Sequence, residues 1–589
     1  MQIDSSIKNL WKKLDQMENP HSERDISREI GSFIKTHFGE NSPDILLWEK
    51  FAFDFVEDYP ADKSNWNTYF GPKMVKANEE GKLLEYPSIH LLTPDILSYW
   101  GKRAQESKNP ILKARYANLV LDFSEKIKGK RAHHRFAQIF IDSVIEISRK
   151  NLHTFNTKMI KKFKRALNIA LAYNDKERIK KLIDAITAYE EKIAEDDKPG
   201  LWGFSYELLV KNKKVPLSKP KENRIVEDLE RRFDRLIKNN DYWSARHATI
   251  LLADYYSRRG DKEKTKAILR KLYKLLQRQI DSNQLLPMTA TMHLNELYAL
   301  YSQYGITDGR EQILNKIREL SGKLYDSLIK VAASVEIGST EFQKYIEQLI
   351  DGDFNMMLQR ITIHFLPFKE QVLKQIEELS KKAPISFLAT GKIMDDEGRI
   401  VATVGPLEKD PTGNLIFHIA QDLSISAPFL REALKAFLNK FNPTAHDLVN
   451  YLYKSPIFRE DRKEFFIRGL DAYLKGDFVA SLHILIPQFE AIIRNLAQII
   501  EVPVIKPSPS GGYFYRTLDE LLREDRIVNV LSEDLSLYLR TLLTDPRGWN
   551  IRNNLCHGIS NFDSFNAGVA DRVFHALLNL SLARKKNSQ

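Results

Sequence analysis

The chain has 589 residues, a formal net charge of +11, 43% hydrophobic and 28% charged residues, and one cysteine. That length allows three or four domains and the balance is ordinary for a globular chain, while a lone cysteine excludes an internal disulfide framework and Cys-based zinc sites. No run approaches the roughly 18–20 apolar residues of a membrane span, and the first residues lack the apolar core of a signal peptide, so the expectation is a cytoplasmic protein without membrane contact.

Leu, Lys, Ala and Glu dominate the periodic segments, which favours helix. Ile7, Leu10, Trp11 and Leu14 recur at three- and four-residue steps, and Pro110 opens a strongly amphipathic helix through Phe123. Lys126, Lys128, Lys130, Arg131 and Arg135 surround His133 and His134. The cluster reads as a solvated loop between helices, with phosphate binding as the alternative. A second basic run, Lys158, Lys161, Lys162, Lys164 and Arg165, reads as one wet helix face. Residues 1–195 are expected to form an N-terminal helical domain, closed by a turn cluster at 195–200 and a Lys/Pro-rich stretch to Lys221.

Residues 223–380 read as helical hairpins. Ala248 and Ala253 let neighbouring helices approach, and Gly260-Asp261 reverses the chain; Asn174-Asp175 plays the same part between residues 166 and 188. The plan is tetratricopeptide-like without a strict period, an irregular α-solenoid with a surface suited to a peptide, a partner protein or RNA. Residues 381–460 hold a β-hairpin, with strands expected at 385–390 and 400–404 around Asp395-Asp396-Glu397-Gly398, followed by helices. The two Asp residues read as turn formers rather than metal ligands.

Residues 461–589 are expected to form a bundle of four to five helices. A helix at 464–474 ends at Gly476-Asp477. A long helix, 478–500, contains Pro487. Residues 501–515 read as a Pro/Gly/Ser loop, and shorter helices follow. This segment carries 16 Lys+Arg and 15 Asp+Glu, a net of +1, so +10 of the charge lies upstream. On the long helix Glu490 and Arg494 are four apart and suited to pairing.

Near the C-terminus, Asp545-Pro546-Arg547-Gly548 is a turn, and Asn550 stands where a helix N-cap would stand. Ile551 and Leu555 mark one helical face. Arg552 and His557 then fall at a helix start, where a phosphate is favoured by the dipole and by unpaired N–H groups. Arg supplies a permanent fork-shaped phosphate ligand, and His a group that exchanges a proton near neutral pH. Residues five apart on a helix are about 140° apart. Arg552 therefore either reaches across its own helix or meets His557 of a second copy in a twofold dimer. The plainer alternative is an Arg on a carboxylate and a partly buried His. Cys556 reads as a small residue on the buried side, with a reactive thiol as the alternative.

Arg552-Asn553, three residues, then His557-Gly558, after a Pro-Gly turn and a helical hairpin, resembles the HEPN superfamily. Its mark is Arg, four to six residues, then His, often with a polar residue after the Arg. The stretch 548–558 also resembles the C-terminal part of a family of large proteins carrying this motif. The likeness covers roughly residues 461–589. It implies a metal-independent endoribonuclease leaving 2′,3′-cyclic phosphate ends, in antiviral defence or a toxin-like system. Arg552, His557 and Asn553 would be catalytic, with Glu490 and Asn550 supporting. It further implies single-stranded RNA as substrate and no cofactor or metal, while the 140° separation of Arg552 and His557 points to a homodimer through this bundle, and the upstream +10 with its two basic runs points to a partner or RNA on the upstream helices. The competing expectation is a non-catalytic dimeric scaffold with an inactive HEPN-like domain. The sequence holds no P-loop, His-Glu-x-x-His or Gly-x-Ser-x-Gly motif.

Overall fold

In the computed structural model, which describes residues 5–39, 42–60, 66–77, 83–327, 339–349, 351–395 and 399–584, the chain is mainly α-helical. Strands among the described residues form four two-stranded antiparallel sheets. Two units result, Met1–Ile317 and Arg318–Gln589. Among the described residues, no helix is long and apolar enough to cross a membrane.

The first unit is built from successive helical hairpins. Each helix from Lys219–Lys238 through Tyr242–Arg258 and Lys262–Asp281 to Pro287–Gln303 packs on the next. The reversals share one local device. A residue in the left-handed region ends one helix, and an Asp caps the following one. Asn174 (φ 52°) precedes Asp175, Asn240 (φ 60°) precedes Asp241, and Gly260 (φ 74°) precedes Asp261. The three Asp side chains accept from the N–H of Arg178, Ser244 and Lys264 at 3.1, 3.0 and 3.0 Å. Ala245, Ala248 and Ala253 are fully buried where Tyr242–Arg258 lies between two neighbours.

Three features of this unit depart from the sequence reading. Two short hairpins, Val56–Glu57 with Phe70–Gly71 and Met74–Ala77 with Leu83–Tyr86, interrupt the N-terminal helices; strands this short carry no usable alternation. The stretch around 195–222 is not a boundary, because Trp202, Phe204, Tyr206 and Leu209 are buried and Glu190 accepts from the N–H of Gly203 at 2.7 Å and Ser205 at 2.6 Å. Finally, Lys162 is not on a wet face. Its ammonium is buried against Glu57 at 3.0 Å and Glu23 at 2.6 Å, and Arg115 reaches Glu57 at 3.0 Å. Burial alone would raise the Glu23 carboxyl, but Lys162 and His153 hold it well below the usual carboxylate range.

The second unit has one continuous core running from Leu349 to Leu580. It crosses the expected boundary at 460/461, because Phe354–His364 and Pro411–Phe441 pack on the last helix, Ala567–Leu580. The β-hairpin is present with its first strand displaced. Gly391–Met394 pairs with Ile400–Val404, while Pro384–Leu388 forms a helical turn with Pro at its start. Asp395 accepts from the Arg399 N–H at 2.8 Å and from its Nε at 2.6 Å, as a turn residue does; Asp396, Glu397 and Gly398 lie outside the described residues. The expected loop at 501–515 is a second hairpin, Ile505–Pro507 against Tyr513–Tyr515, turned by Gly511 and Gly512 at φ 86° and 80°.

The last helix carries a buried polar row. Asp571 accepts from Arg431 at 3.0 Å and from the Tyr473 hydroxyl at 2.6 Å, and Arg572 donates to the Leu423 carbonyl at 3.0 Å. His575 Nε2 donates to the Thr362 carbonyl at 3.0 Å, which leaves Nδ1 to accept from the Tyr538 hydroxyl at 2.8 Å. These bonds tie five helices together around the core.

Candidate functional site

The motif helix is set by the turn before it. After Glu533–Leu543, Asp545 is buried and takes the Arg547 guanidinium on both oxygens at 2.9 Å. Burial opposes its charge, but the Arg547 bonds lower the Asp545 carboxyl below its ordinary value. Gly548 then passes against the previous helix: a Cβ built there would lie 2.2 Å from the Thr541 carbonyl oxygen. The next residue, Trp549, donates its N–H to that same carbonyl at 2.8 Å and its indole Nε1–H to the Ala420 carbonyl at 3.2 Å. Only glycine fits this approach. Gly548→Ala should therefore destabilise the unit by about 1–3 kcal/mol, the usual range for overpacking. A lowered urea midpoint with an unchanged fold checks this; an unchanged midpoint contradicts it.

Ile551–Cys556 is a six-residue helix. Asn550 occupies the N-cap position but not the expected role. Its backbone is left-handed (φ 51°, ψ 30°) and its side chain makes no capping bond. Instead its Oδ1 accepts from Asn553 Nδ2 at 2.7 Å, and that Nδ2 also reaches the Thr544 carbonyl at 3.1 Å. Asn553 is thereby fixed, and its Oδ1 accepts from Arg552 Nη1 at 2.8 Å. Nη2 of Arg552 pairs with Glu490 on the long helix Phe478–Ile499. The other oxygen of Glu490 pairs with Arg494. One carboxylate thus pairs with both Arg552 and Arg494.

At the other end of the helix, His557 is exposed. Its N–H donates to the Asn553 carbonyl at 3.0 Å, and its ring has no hydrogen-bond partner among the described residues. Gly558 (φ 64°) ends the turn. Cys556 is exposed, contrary to the expected burial; the short helix turns only Ile551 and Leu555 toward the core. Those two residues, with Leu482, Ile486, Trp549 and Phe565, line a cleft of about 220 Å³.

The structure joins Arg552, Asn553, Asn550 and Glu490 in one network and leaves His557 outside it. No hydrogen bond or ion pair links Arg552 to His557. Chemically, a held guanidinium with donors to spare can bind and neutralise a phosphate, and an exposed imidazole can exchange a proton. Two contributors escaped the sequence reading. Arg494 was visible there only as a partner for Glu490. The exposed aromatic run Tyr513–Tyr515, whose last ring lies 4.9 Å from the Arg494 guanidinium, was hidden in a stretch with loop composition.

No family model matches the chain, and no curated protein matches it. A solved structure described as a "circular tandem repeat protein with novel repeat topology and enhanced subunit contact surfaces" is similar at 12% identity over 82% of this chain and 89% of that one, with a TM-score of 0.13.

Proposed function

We propose that the second unit is a metal-independent endoribonuclease of the HEPN type, acting on single-stranded RNA in antiviral defence or a toxin-like system, and that the hairpins of the first unit recognise a partner or RNA. The observation that supports it is the division of labour in the motif helix: Arg552 is held by Glu490 and Asn553, while His557 stands free in solvent. In this reading His557 takes the proton of a ribose 2′-hydroxyl. The 2′-oxygen bonds to the adjacent phosphorus as the bond to the 5′-oxygen breaks, the leaving 5′-oxygen takes a proton from water, the imidazolium returns its own to solvent, and Arg552 stabilises the charge gathering on the phosphate oxygens. The products are a 2′,3′-cyclic phosphate and a 5′-hydroxyl. No cofactor enters. The purified full chain should cut single-stranded RNA in EDTA; RNA left intact by the full chain, together with wild-type growth of cells expressing it, would count against the reading.

No hydrogen bond or ion pair joins Arg552 to His557 within one chain, and a twofold pairing would bring the Arg of one copy to the His of the other at one phosphate. Light scattering on the full chain should give twice the 68.3 kDa of one chain; a single-chain mass at tens of micromolar contradicts the twofold site. The alternative of a non-catalytic dimeric scaffold draws on the same ion pairs, since Arg552 already satisfies Glu490 internally. It predicts the dimer without cutting.

A further inference from the structure

Three consecutive aromatic side chains stand in solvent on the hairpin of the second unit. Tyr513, Phe514 and Tyr515 are 72%, 52% and 64% exposed. In a strand their side chains alternate, so Tyr513 and Tyr515 share one face and Phe514 takes the other, opposite Lys506. None belongs to the core of the unit. Exposed rings in a contiguous run mark a binding surface.

The hairpin is also wired to the motif helix. The Arg494 guanidinium lies 4.9 Å from the centre of the Tyr515 ring, and its Nε is buried with no hydrogen-bond partner among the described residues. The same Arg494 pairs with Glu490, whose other oxygen holds Arg552. Aromatic ring, cation, carboxylate and motif arginine thus follow one another without a gap. Rings beside cations fit a strand whose bases offer flat faces and whose backbone offers phosphates. A duplex keeps those faces stacked on each other. A second protein copy would bring no such pairing of flat faces with phosphates.

We propose that the hairpin is the base-binding surface of the ribonuclease site: unpaired bases of single-stranded RNA stack on Tyr513 and Tyr515, and the phosphates run past Arg494 to Arg552. This rests on the ribonuclease reading and adds the residues that select single strands. Selection is by the unpaired state rather than by base identity, because every base has a face to stack.

The test uses full-length His557→Ala, which keeps the RNA whole, and a labelled oligouridine read by fluorescence anisotropy. Tyr513→Ala/Tyr515→Ala in that background should weaken binding by about tenfold or more per ring. Tyr513→Phe/Tyr515→Phe keeps both rings and should bind like the parent. Duplex RNA should bind weakly and respond to neither pair. Equal affinity of the alanine pair and the parent overturns the hairpin assignment alone, and leaves the ribonuclease reading in place if the wild-type background still cuts. Absence of RNA binding by the parent, with no cutting by wild type, overturns both. Loss of the dimer in the alanine pair, with RNA affinity retained per chain, assigns the rings to contact between copies and overturns the base-stacking role.

Discussion

His557→Ala should abolish RNA cutting by the full chain, a loss of about 10²–10⁴-fold or more, the contribution usual for a general base. His557 is the one imidazole of the motif, beside Ile, Arg, Asn, Leu and a lone Cys. Arg552→Ala should cost about 10²–10³-fold, the range for losing one donor to a charged transition state, and it also leaves Glu490 with Arg494 alone. Arg552→Lys should rescue poorly. One ammonium cannot reach Glu490 and the Asn553 oxygen together and still present a fork to phosphate. Asn553→Ala should be milder, because Glu490 still holds the guanidinium. Initial rates on one single-stranded RNA rank these variants. A His557→Ala enzyme that cuts at the wild-type rate removes His557 from the mechanism.

Acidification from pH 7 to pH 4 should cost the second unit about 3 kcal/mol through His575 alone. Burial, aided by the nearby Arg572 charge, pushes the native imidazole down to about 3 from its ordinary 6.5. The native ring is neutral, donating to Thr362 and accepting from Tyr538, and a second proton would place a charge in a buried site beside Arg572. The unfolded chain takes that proton up below pH 6.5. The contribution is therefore intact above 6.5 and is lost progressively as pH falls toward 3. Burial raises the Asp571 carboxyl in the same row, so its effect on stability runs in the opposite sense. Comparing wild type with His575→Gln isolates the histidine. Hydrogen exchange at the Ala567–Leu580 helix in urea, corrected for intrinsic rates, should show the variant less stable at pH 7 and losing about 3 kcal/mol less on acidification. Equal pH dependence in the two proteins contradicts the buried neutral ring.

The parts of this molecule that could be read from sequence are those decided locally. Asn174-Asp175, Gly260-Asp261 and Gly476-Asp477 mark helix reversals because one residue tolerates positive φ and the next caps the following helix. Pro110 opens its helix for the same kind of reason. Glu490 was legible as a break in an apolar pattern, although its partner Arg552 is 62 residues away. Lys162 was not, because its burial depends on Glu57, 105 residues distant and on a two-residue strand. Asn550 misled because capping residues look alike in sequence whether the backbone is extended or left-handed. The aromatic hairpin was hidden by the Pro, Gly and Ser of its own turn. A core that runs past residue 460 leaves no compositional mark, since the helices on both sides bury similar apolar faces.

The proposed metal-free cutting by His557 and Arg552 is tested by the chemistry of the RNA ends it leaves. Single-stranded RNA is treated with wild type and with His557→Ala, both full length, in EDTA, and the new ends are identified. Wild type should leave 2′,3′-cyclic phosphate and 5′-hydroxyl ends, and the variant should leave no new ends. Ends bearing a 3′-hydroxyl, cutting that appears only with magnesium, or fragments that survive the His557 substitution would contradict it.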